Sequence, residues 1–242
     1  MAKGPLTLAI DIGGTHLKAG VLDTKANLVV PEARVETPEP AGPEAVVQAL
    51  VQLIHPLGEF DRISIGFPGV VKSGHVITAP NLGNAAWRGY PLASVLTDHL
   101  SKPVRMLNDA TVHGLGVIAG SGLECVITLG TGFGFALFDN GHLTPHLELA
   151  HHPIRTDTDY DQYVGDAALK SIGRKRWNKR VGRALACVAN LTFYDTLYIG
   201  GGNARHLRLE LEQNIHIVPN EAGITGGVRL WDPQLDQAFS AG

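Results

Sequence analysis

The chain contains one distinctive pattern twice: an apolar segment, a glycine-rich turn and a second apolar segment. The first copy occupies residues 6–23, with Gly13 and Gly14 at its turn, and the second occupies residues 124–137. Short apolar segments on both sides of a turn predict a β-hairpin. Because the copies lie in different halves of the chain, they predict two α/β halves of one duplicated design.

The segments between and after the hairpins alternate between helical and strand-like patterns. In the first half we predict helices at residues 44–57 and near 91–100, and strands at residues 63–67 and 104–107. In the second half we predict helices at residues 160–169 and 177–191, a strand at 196–199 and a helix-like stretch at 222–231. We expect an N-terminal lobe of residues 1–107 and a C-terminal lobe of residues 108–242, whose last helix can pack back on the first lobe.

Composition excludes several classes of protein. The chain of 242 residues is 44% hydrophobic and 18% charged, which excludes a disordered, collagenous or coiled-coil chain. It has no apolar run of about 18 residues and no signal-peptide pattern at its start, so we expect a cytoplasmic protein without membrane contact. The two cysteines, Cys125 and Cys187, each lie in an apolar run and are predicted to be buried thiols.

The first turn has the residues that a phosphate site needs. Asp11 ends an apolar strand and precedes Gly13 and Gly14. Such a turn can donate N–H groups to a phosphate while the carboxylate holds a hydrated Mg²⁺ ion. The spacing matches neither a P-loop nor Gly-x-Gly-x-x-Gly, and a plain hairpin is the alternative. The second turn repeats the device, and two such turns facing one crevice would clamp a phosphoryl chain.

Two further groups of polar residues are candidates for chemistry. Asn108 and Asp109 follow a predicted strand, where a carboxylate faces the crevice of an α/β sheet and can accept a proton from a hydroxyl. A turn or a helix cap is the alternative for this pair. Glu148 and His151 would share one face of a helix, or form a capping pair.

Taken in order, these motifs form a specific set. They are Asp11-Ile12-Gly13-Gly14-Thr15, Phe67-Pro68-Gly69, Asn108-Asp109-Ala110, Leu129-Gly130-Thr131-Gly132-Phe133-Gly134, Glu148-Leu149-Ala150-His151 and Gly200-Gly201-Gly202. The set resembles the ROK family (repressor, open reading frame, kinase) of sugar kinases, and within it the polyphosphate glucokinase branch. The resemblance covers nearly the whole chain, from about Leu8 to Trp231.

The resemblance implies an α/β fold of the ribonuclease-H-like, actin type, with two lobes around a central cleft. It implies a kinase that transfers a phosphoryl group from ATP or polyphosphate to the 6-hydroxyl of a hexose, which is glucose in this branch, with Asp109 as the base. The implied sugar-binding residues are Asn84, Asn108, Glu148, His151 and Asp161. The implied phosphate and nucleotide residues are Asp11, Gly13, Gly14, Thr15, Lys18, Gly130, Thr131, Gly132, Gly134, Gly200, Gly201 and Gly202, with Asp11 holding Mg²⁺ through water.

The sequence departs from the family at three points. Many members carry a zinc cluster of one His and three Cys after the Glu-x-Gly-His motif, but this sequence has no Cys there, so we predict no zinc. Asp161 stands near the position of a second sugar-binding Glu and is one methylene shorter. Ala150 replaces a Gly, and if that position requires a positive φ, alanine costs about 1 kcal/mol.

Residues 170–183 contain seven cationic side chains and no acid, in a chain whose net charge is −3. The simplest interpretation is the solvated face of a helix whose apolar stripe includes Ile172, Trp177, Val181 and Leu185. The alternative is a track that guides polyphosphate, with Arg174, Lys175 and Arg176 as its candidates. The net charge argues against a nucleic-acid partner.

Other functions stay open from sequence alone. One is a sugar-binding regulator without catalysis, although we expect no DNA-binding domain before a motif that begins at Leu8. Another is a kinase for mannose, N-acetylglucosamine or fructose. The preferred donor is open as well, and a homodimer is compatible with the resemblance.

Overall fold

In a computed structural model, which describes residues 4–239 except for the side chain of Asn84, the chain divides into two compact units. Unit 1 comprises the residues up to Gly116 and the segment that begins at Glu221, and unit 2 comprises Val117–Asn220. Each unit contains a five-stranded sheet with both antiparallel and parallel neighbours.

In chain order, the strands are β1 (Thr7–Ile12), β2 (His16–Leu22), β3 (Ala33–Glu36), β4 (Arg62–Phe67), β5 (Val71–Lys72), β6 (His75–Val76), β7 (Val104–Asn108), β8 (Leu123–Leu129), β9 (Phe133–Asp139), β10 (His142–Leu143), β11 (Pro153–Arg155), β12 (Thr158–Asp159), β13 (Thr196–Gly200) and β14 (Ile215–Ile217). The α-helices are α1 (Pro43–Ile54), α2 (Asn84–Trp87), α3 (Leu92–Leu100), α4 (Asp109–Leu115), α5 (Tyr160–Val164), α6 (Asp166–Thr192), α7 (Ala222–Thr225) and α8 (Asp236–Phe239). Short 3₁₀ helices lie at His55–Leu57, Ala204–His206, Gly226–Trp231 and Pro233–Leu235.

The sheet of unit 1 has the order β3-β2-β1-β4-β7. The predicted hairpin is confirmed as the antiparallel pair β1–β2, and β4 and β7 extend the sheet in parallel. Alternate residues of β1 point to opposite faces. Leu8 and Ile10 join a core that includes Leu50 of α1, while Ala9 packs with Ile224 and Val228 from the end of the chain.

The C-terminal segment belongs to unit 1 because it is bonded to the sheet. Ser64 donates from Oγ to Gly227 O (2.6 Å) and accepts from Trp231 Nε1 (2.9 Å). A Cβ at Gly226 would lie only 2.0 Å from Val112 O, so α4 and the closing segment are in close contact. The division into units therefore falls after Gly116 rather than after residue 107, since α4 packs with unit 1.

The sheet of unit 2 has the order β10-β9-β8-β13-β14. The second predicted hairpin is confirmed as the antiparallel pair β8–β9, and β13 and β14 add to β8 in parallel. The turn between β9 and β10 uses Asn140 and Gly141 at positive φ (48° and 79°), as the Asp-Asn-Gly sequence predicts. The hydrophobic core of unit 2 includes Ile127, Phe133 and Trp177.

The predicted helices of unit 2 differ from the observed ones. Instead of a helix over residues 160–169, α5 ends at Val164 and α6 begins at Asp166, because Gly165 is extended (φ −65°, ψ 175°). A Cβ at Gly165 would lie 2.5 Å from Asp161 O and 2.6 Å from Thr131 O. The α6 helix also starts earlier than predicted and contains a kink at Gly173 (φ 75°).

The apolar stripe of α6 is confirmed, since Trp177, Val181 and Leu185 are buried. Within residues 4–239, no helix is both long and apolar enough to cross a membrane. Cys125 is buried, and this burial raises the pKa of its thiol, whereas Cys187 is half-buried. Both cysteines are free thiols as predicted, but the prediction that both are buried is wrong for Cys187.

Candidate functional site

The first glycine-rich turn places a carboxylate and an ammonium group side by side. Asp11 on β1 pairs with Lys18 on β2, and Lys18 Nζ lies 3.0 Å from Asp11 Oδ2. The turn closes through Gly13 N, which donates to His16 O (2.9 Å), and a Cβ at Gly13 would lie 2.9 Å from that oxygen. Thr15 is exposed at the tip. The turn can therefore present backbone N–H groups next to a paired charge.

A buried histidine, which no sequence motif predicts, lies beside Asp11. His113 on α4 is 4% exposed, and its Nε2 has no hydrogen-bond partner among the described residues. A Cβ at Gly223 would lie 3.6 Å from Asp11 Oδ2 and 3.9 Å from His113 Nδ1. Burial, the largest effect, lowers the pKa of His113 to about 4, although Asp11 and Glu221 raise it. The imidazole is therefore neutral at neutral pH.

Asn108 and Asp109 lie at the junction of β7 and α4. The Asn108 side chain is the N-cap of α4, since its Oδ1 accepts from the backbone N–H of Ala110 (3.0 Å) and of Thr111 (3.3 Å). Its Nδ2 donates to Gly69 O (3.2 Å), in the Phe-Pro-Gly loop. The helix-cap alternative therefore holds for Asn108. Asp109 follows it with its carboxylate half-buried, and Oδ1 accepts from Ala110 N (2.8 Å).

Asn84 begins α2, and its side chain lies outside the described part of the structure. The loop before it comes close to the first turn, because a Cβ at Gly14 would lie 3.1 Å from the Cβ of Asn81. Trp87, at the end of α2, is buried and donates from Nε1 to Ala41 O (2.8 Å). These contacts anchor the loop that carries Asn84.

The second glycine-rich turn, which joins β8 and β9, is held by side chains and backbone groups from outside the hairpin. Gly130 O accepts from Asn203 Nδ2 (3.1 Å) and from Asp166 N (3.0 Å). Gly201 has a φ of 84°, and a Cβ there would lie 2.4 Å from Leu129 O. The structure thus brings the Gly200-Gly201-Gly202 turn against the turn that contains Gly130, Thr131 and Gly132, while Gly134 lies in β9.

Glu148 and His151 lie in a loop and turn before β11, not on a helix. The two side chains do not pair with each other as caps. His146 Nε2 lies 3.4 Å from Glu148 Oε2, and His151 Nδ1 lies 3.6 Å from Asp159 Oδ2. Ala150 is buried and its φ is not positive, so alanine is compatible with the backbone there.

Asp161, in the first turn of α5, points back to the second glycine-rich turn. Its Oδ1 accepts from Phe133 N (2.6 Å), and a Cβ at Gly132 would lie 2.5 Å from both carboxylate oxygens. Burial, the largest effect, raises the pKa of Asp161, while the Phe133 N–H and His151 lower it.

Arg174, Lys175 and Arg176 are exposed immediately after the kink of α6. The structure adds two cations that sequence analysis missed, Arg205 and Arg208. Arg205 Nε donates to His206 Nε2 (3.3 Å). Desolvation is the largest cause that lowers the pKa of His206, and Arg174, Arg205 and Arg208 lower it further. The buried Asn178 joins the two segments: its Nδ2 donates to Arg174 O (2.9 Å) and His206 O (3.0 Å), and its Oδ1 accepts from Arg208 N (2.6 Å). We call Arg174, Arg205 and Arg208 the arginine cluster.

Metal ligation within the described part of the chain is limited. No group of three or more His, Cys, Asp and Glu side chains is placed there to hold a metal ion. Asp11 supplies one half-buried carboxylate, and a hydrated Mg²⁺ ion commonly needs only one or two carboxylates besides phosphate oxygens. The residues present therefore suit Mg²⁺ bound together with a phosphate ligand.

Comparison with solved structures identifies the class of protein. The inorganic polyphosphate/ATP-glucomannokinase from Arthrobacter sp. strain KM has a TM-score of 0.85 and 31% identity, over 93% of this chain and 98% of that one. The two mixed sheets and their glycine-rich hairpins are those of the actin-like sugar kinase fold.

Sequence comparison then identifies the family. The family model described as ROK family matches residues 7–148, and this chain belongs to the ROK family. The polyphosphate glucokinase of Mycobacterium tuberculosis (strain ATCC 25618 / H37Rv) is 31% identical over 238 residues, which is 90% of this chain and 88% of that protein. The polyphosphate glucokinase of Mycobacterium leprae (strain TN) is 32% identical over 207 residues, 81% of this chain, and the match spans 63% of that protein's length.

Proposed function

We propose that this chain transfers a phosphoryl group from ATP or inorganic polyphosphate to the 6-hydroxyl of a hexose, and that this hexose is glucose. The names and identities of the Mycobacterium and Arthrobacter relatives support this function. The observation that carries the proposal is the position of Asp109 at the carboxyl end of β7, where α/β sheets bind ligands.

Asp109 acts as the general base. As the bond between the sugar oxygen and phosphorus forms and the donor P–O bond breaks, the hydroxyl proton moves to the Asp109 carboxylate. Asn108 caps α4 and bonds to Gly69 O, so it fixes the start of the helix that carries Asp109. Glu148 and His151 bind sugar hydroxyls, with Asn84 as a further candidate. A hexose that lacks one of these hydroxyls would leave a polar partner unpaired and be rejected.

The two glycine-rich turns bind the donor through backbone N–H groups, at Gly13, Gly14 and Thr15 in unit 1 and at residues 130–134 in unit 2. Lys18 neutralises phosphate charge. Asp11 would hold a hydrated Mg²⁺ ion, which supplies neutralisation of the phosphate oxygens when bound. The turn at residues 200–202 lies beside residues 129–130 and would contact the adenosine of ATP.

The test is a coupled assay for hexose 6-phosphate with Mg²⁺ and each donor. Asp109→Asn keeps the shape of the side chain and removes the base, so the rate should fall at least about 10³-fold. Asp98→Asn, the same change on an exposed residue of α3, is the matched control and should retain the wild-type rate. An active Asp109→Asn enzyme would contradict the assignment of the base.

Polyphosphate use is proposed to depend on the exposed cations of α6. Joint replacement of Arg174, Lys175 and Arg176 by Ala should lower the polyphosphate-dependent rate more than the ATP-dependent rate. The reason is that a long polyphosphate chain can contact more cationic side chains than ATP can. Replacement of Arg205 and Arg208 should have the same selective effect if the arginine cluster is part of the track. Equal losses with both donors would contradict a donor track.

The same assay separates the alternatives. A regulator without catalysis would bind sugar and give no turnover with either donor. A panel of glucose, mannose, fructose and N-acetylglucosamine identifies the preferred hexose. The cytoplasmic location and the homodimer stay predictions, and size measurement in solution tests the latter.

A further inference from the structure

Asp161 contacts both ligand-binding segments of unit 2. Its side chain accepts a hydrogen bond from Phe133 N (2.6 Å), at the end of the donor-binding turn. Its backbone N–H donates to Ala150 O (3.1 Å), between the two sugar-binding residues of the 148–151 segment. One residue therefore bonds to both segments, through two different groups.

Asp161 packs tightly against the donor-binding turn 130–133. Gly132 leaves no room for a Cβ, since that atom would lie 2.5 Å from both carboxylate oxygens of Asp161. Gly165, which ends α5, approaches both Asp161 O and Thr131 O, and its N–H donates to Asp161 O (2.8 Å). The carboxylate of Asp161 thus packs against Gly132 of the turn, while the backbone O of the same residue is bonded to Gly165 at the end of the helix.

We infer that Asp161 is a positioning residue that holds the donor-binding turn 130–133 in place beside the sugar-binding segment 148–151, rather than a ligand of the sugar. The inference rests on the proposed function for the roles of the two segments. The resemblance to the family assigns a sugar contact at this position, but the shorter carboxylate of Asp161 is bonded to the turn instead. A short bond from a backbone N–H to a carboxylate is a strong constraint on the turn.

Steady-state kinetics separate the two roles. Asp161→Ala removes the bond to Phe133 but retains the backbone N–H that donates to Ala150. We expect the donor KM to rise about tenfold or more, the cost of one charged hydrogen bond, while the sugar KM changes less than about threefold. A rise in the sugar KM with an unchanged donor KM would overturn the inference.

The conservative variant gives a second test that does not depend on Asp161→Ala folding. In Asp161→Asn the amide oxygen can still accept from Phe133 N, so both KM values should stay close to wild type. A sugar ligand would lose its charged contact in this variant and the sugar KM would rise. That result would also overturn the inference.

The chain offers a matched control at the other end of the same hairpin. Asp195 Oδ2 accepts from Leu123 N (2.7 Å), and a Cβ at Gly122 would lie 2.5 Å from that oxygen. Asp195→Ala therefore removes the same kind of bond far along β8 from the donor turn. We expect it to lower stability without changing either KM.

Amide hydrogen exchange tests the inference without a measurement of kinase activity. Asp161→Ala should speed exchange at Phe133 and not at Leu123, and Asp195→Ala should do the reverse. An unchanged exchange rate at Phe133 in Asp161→Ala would overturn the inference even in an active kinase. Conversely, a wild-type chain that phosphorylates no hexose would contradict the proposed function while this exchange pattern still tested the role of Asp161 in the turn.

Discussion

Replacing the buried His113 by phenylalanine should remove a pH dependence from the stability of the chain. The folded-state pKa of His113 is about 4, against an ordinary value of 6.5, with burial as the main cause. As the pH falls below about 6.5, the unfolded chain binds a proton that the folded chain does not. The stability that the neutral histidine contributes is therefore complete above that pH and is lost as the pH falls toward 4.

The expected magnitude follows from the two pKa values. Each pH unit in this window costs about 1.4 kcal/mol, so the loss from His113 between pH 7 and pH 5 is about 2 kcal/mol. The charged groups that face the ring, Asp11, Lys18 and Glu221, are already included in this pKa. At pH 7 we expect His113→Phe to change the free energy of unfolding by less than about 1.5 kcal/mol, because Nε2 has no hydrogen-bond partner to lose among residues 4–239.

The assay is urea unfolding of wild type and His113→Phe at pH 7 and pH 5. The difference between the two proteins cancels the titration of the other groups that both share. His99→Phe, at an exposed position of α3, is the matched control and should retain the wild-type pH dependence. If His113→Phe loses as much stability as wild type between pH 7 and pH 5, then His113 is not a buried group that stays neutral, and the prediction is wrong.

Two further predictions concern unit 2. Gly201→Ala should lower the free energy of unfolding by at least about 2 kcal/mol, because φ is 84° and a Cβ would collide with Leu129 O. Gly202→Ala is the control and should change the free energy of unfolding by less than about 1 kcal/mol, because no atom lies within 4 Å of a Cβ there. Equal effects of the two substitutions in thermal unfolding would contradict this prediction. Glu124→Gln should cost about 3 kcal/mol, because the buried carboxylate accepts from three consecutive backbone N–H groups, residues 119–121, and from Tyr198 Oη. Urea unfolding tests it, and a loss no larger than that of Glu210→Gln, at an exposed position, would refute it.

Local patterns were sufficient to predict both hairpins and most helices. The apolar segments around Gly13 and around Gly132 form antiparallel pairs as predicted, and most residues of each strand are buried. The prediction of one helix over residues 160–169 was wrong at Gly165, which interrupts it and where a Cβ would lie 2.6 Å from Thr131 O, an atom distant in sequence. Such contacts leave no trace in a helical pattern.

In the candidate site too, local sequence patterns predict some residues, while only the fold brings others to the site. Asp109 was predicted from its place after a strand, and the structure has it at the start of α4, directly after β7. His113 was missed because a lone histidine has no motif, and only the fold brings it near Asp11. Arg205 was missed for a similar reason, because Asn178 joins its segment to α6.

The two glycine-rich turns show why similar motifs need different support. Each turn has one backbone bond of its own, from Gly13 N to His16 O in unit 1 and from Gly130 N to Gly132 O in unit 2. The first turn is also held by Thr37, whose backbone N–H donates to Thr15 O (3.0 Å) and whose Oγ1 donates to Gly13 O (2.6 Å). In unit 2 the turn is held largely by groups from α5, α6 and the segment after β13, of which Asp161 and Asn203 are the side chains. A change in those elements can therefore alter donor binding by the second turn while the hairpin sequence stays the same. The first turn depends in the same way on Thr37, which follows β3, so a change at Thr37 should alter donor binding by the first turn.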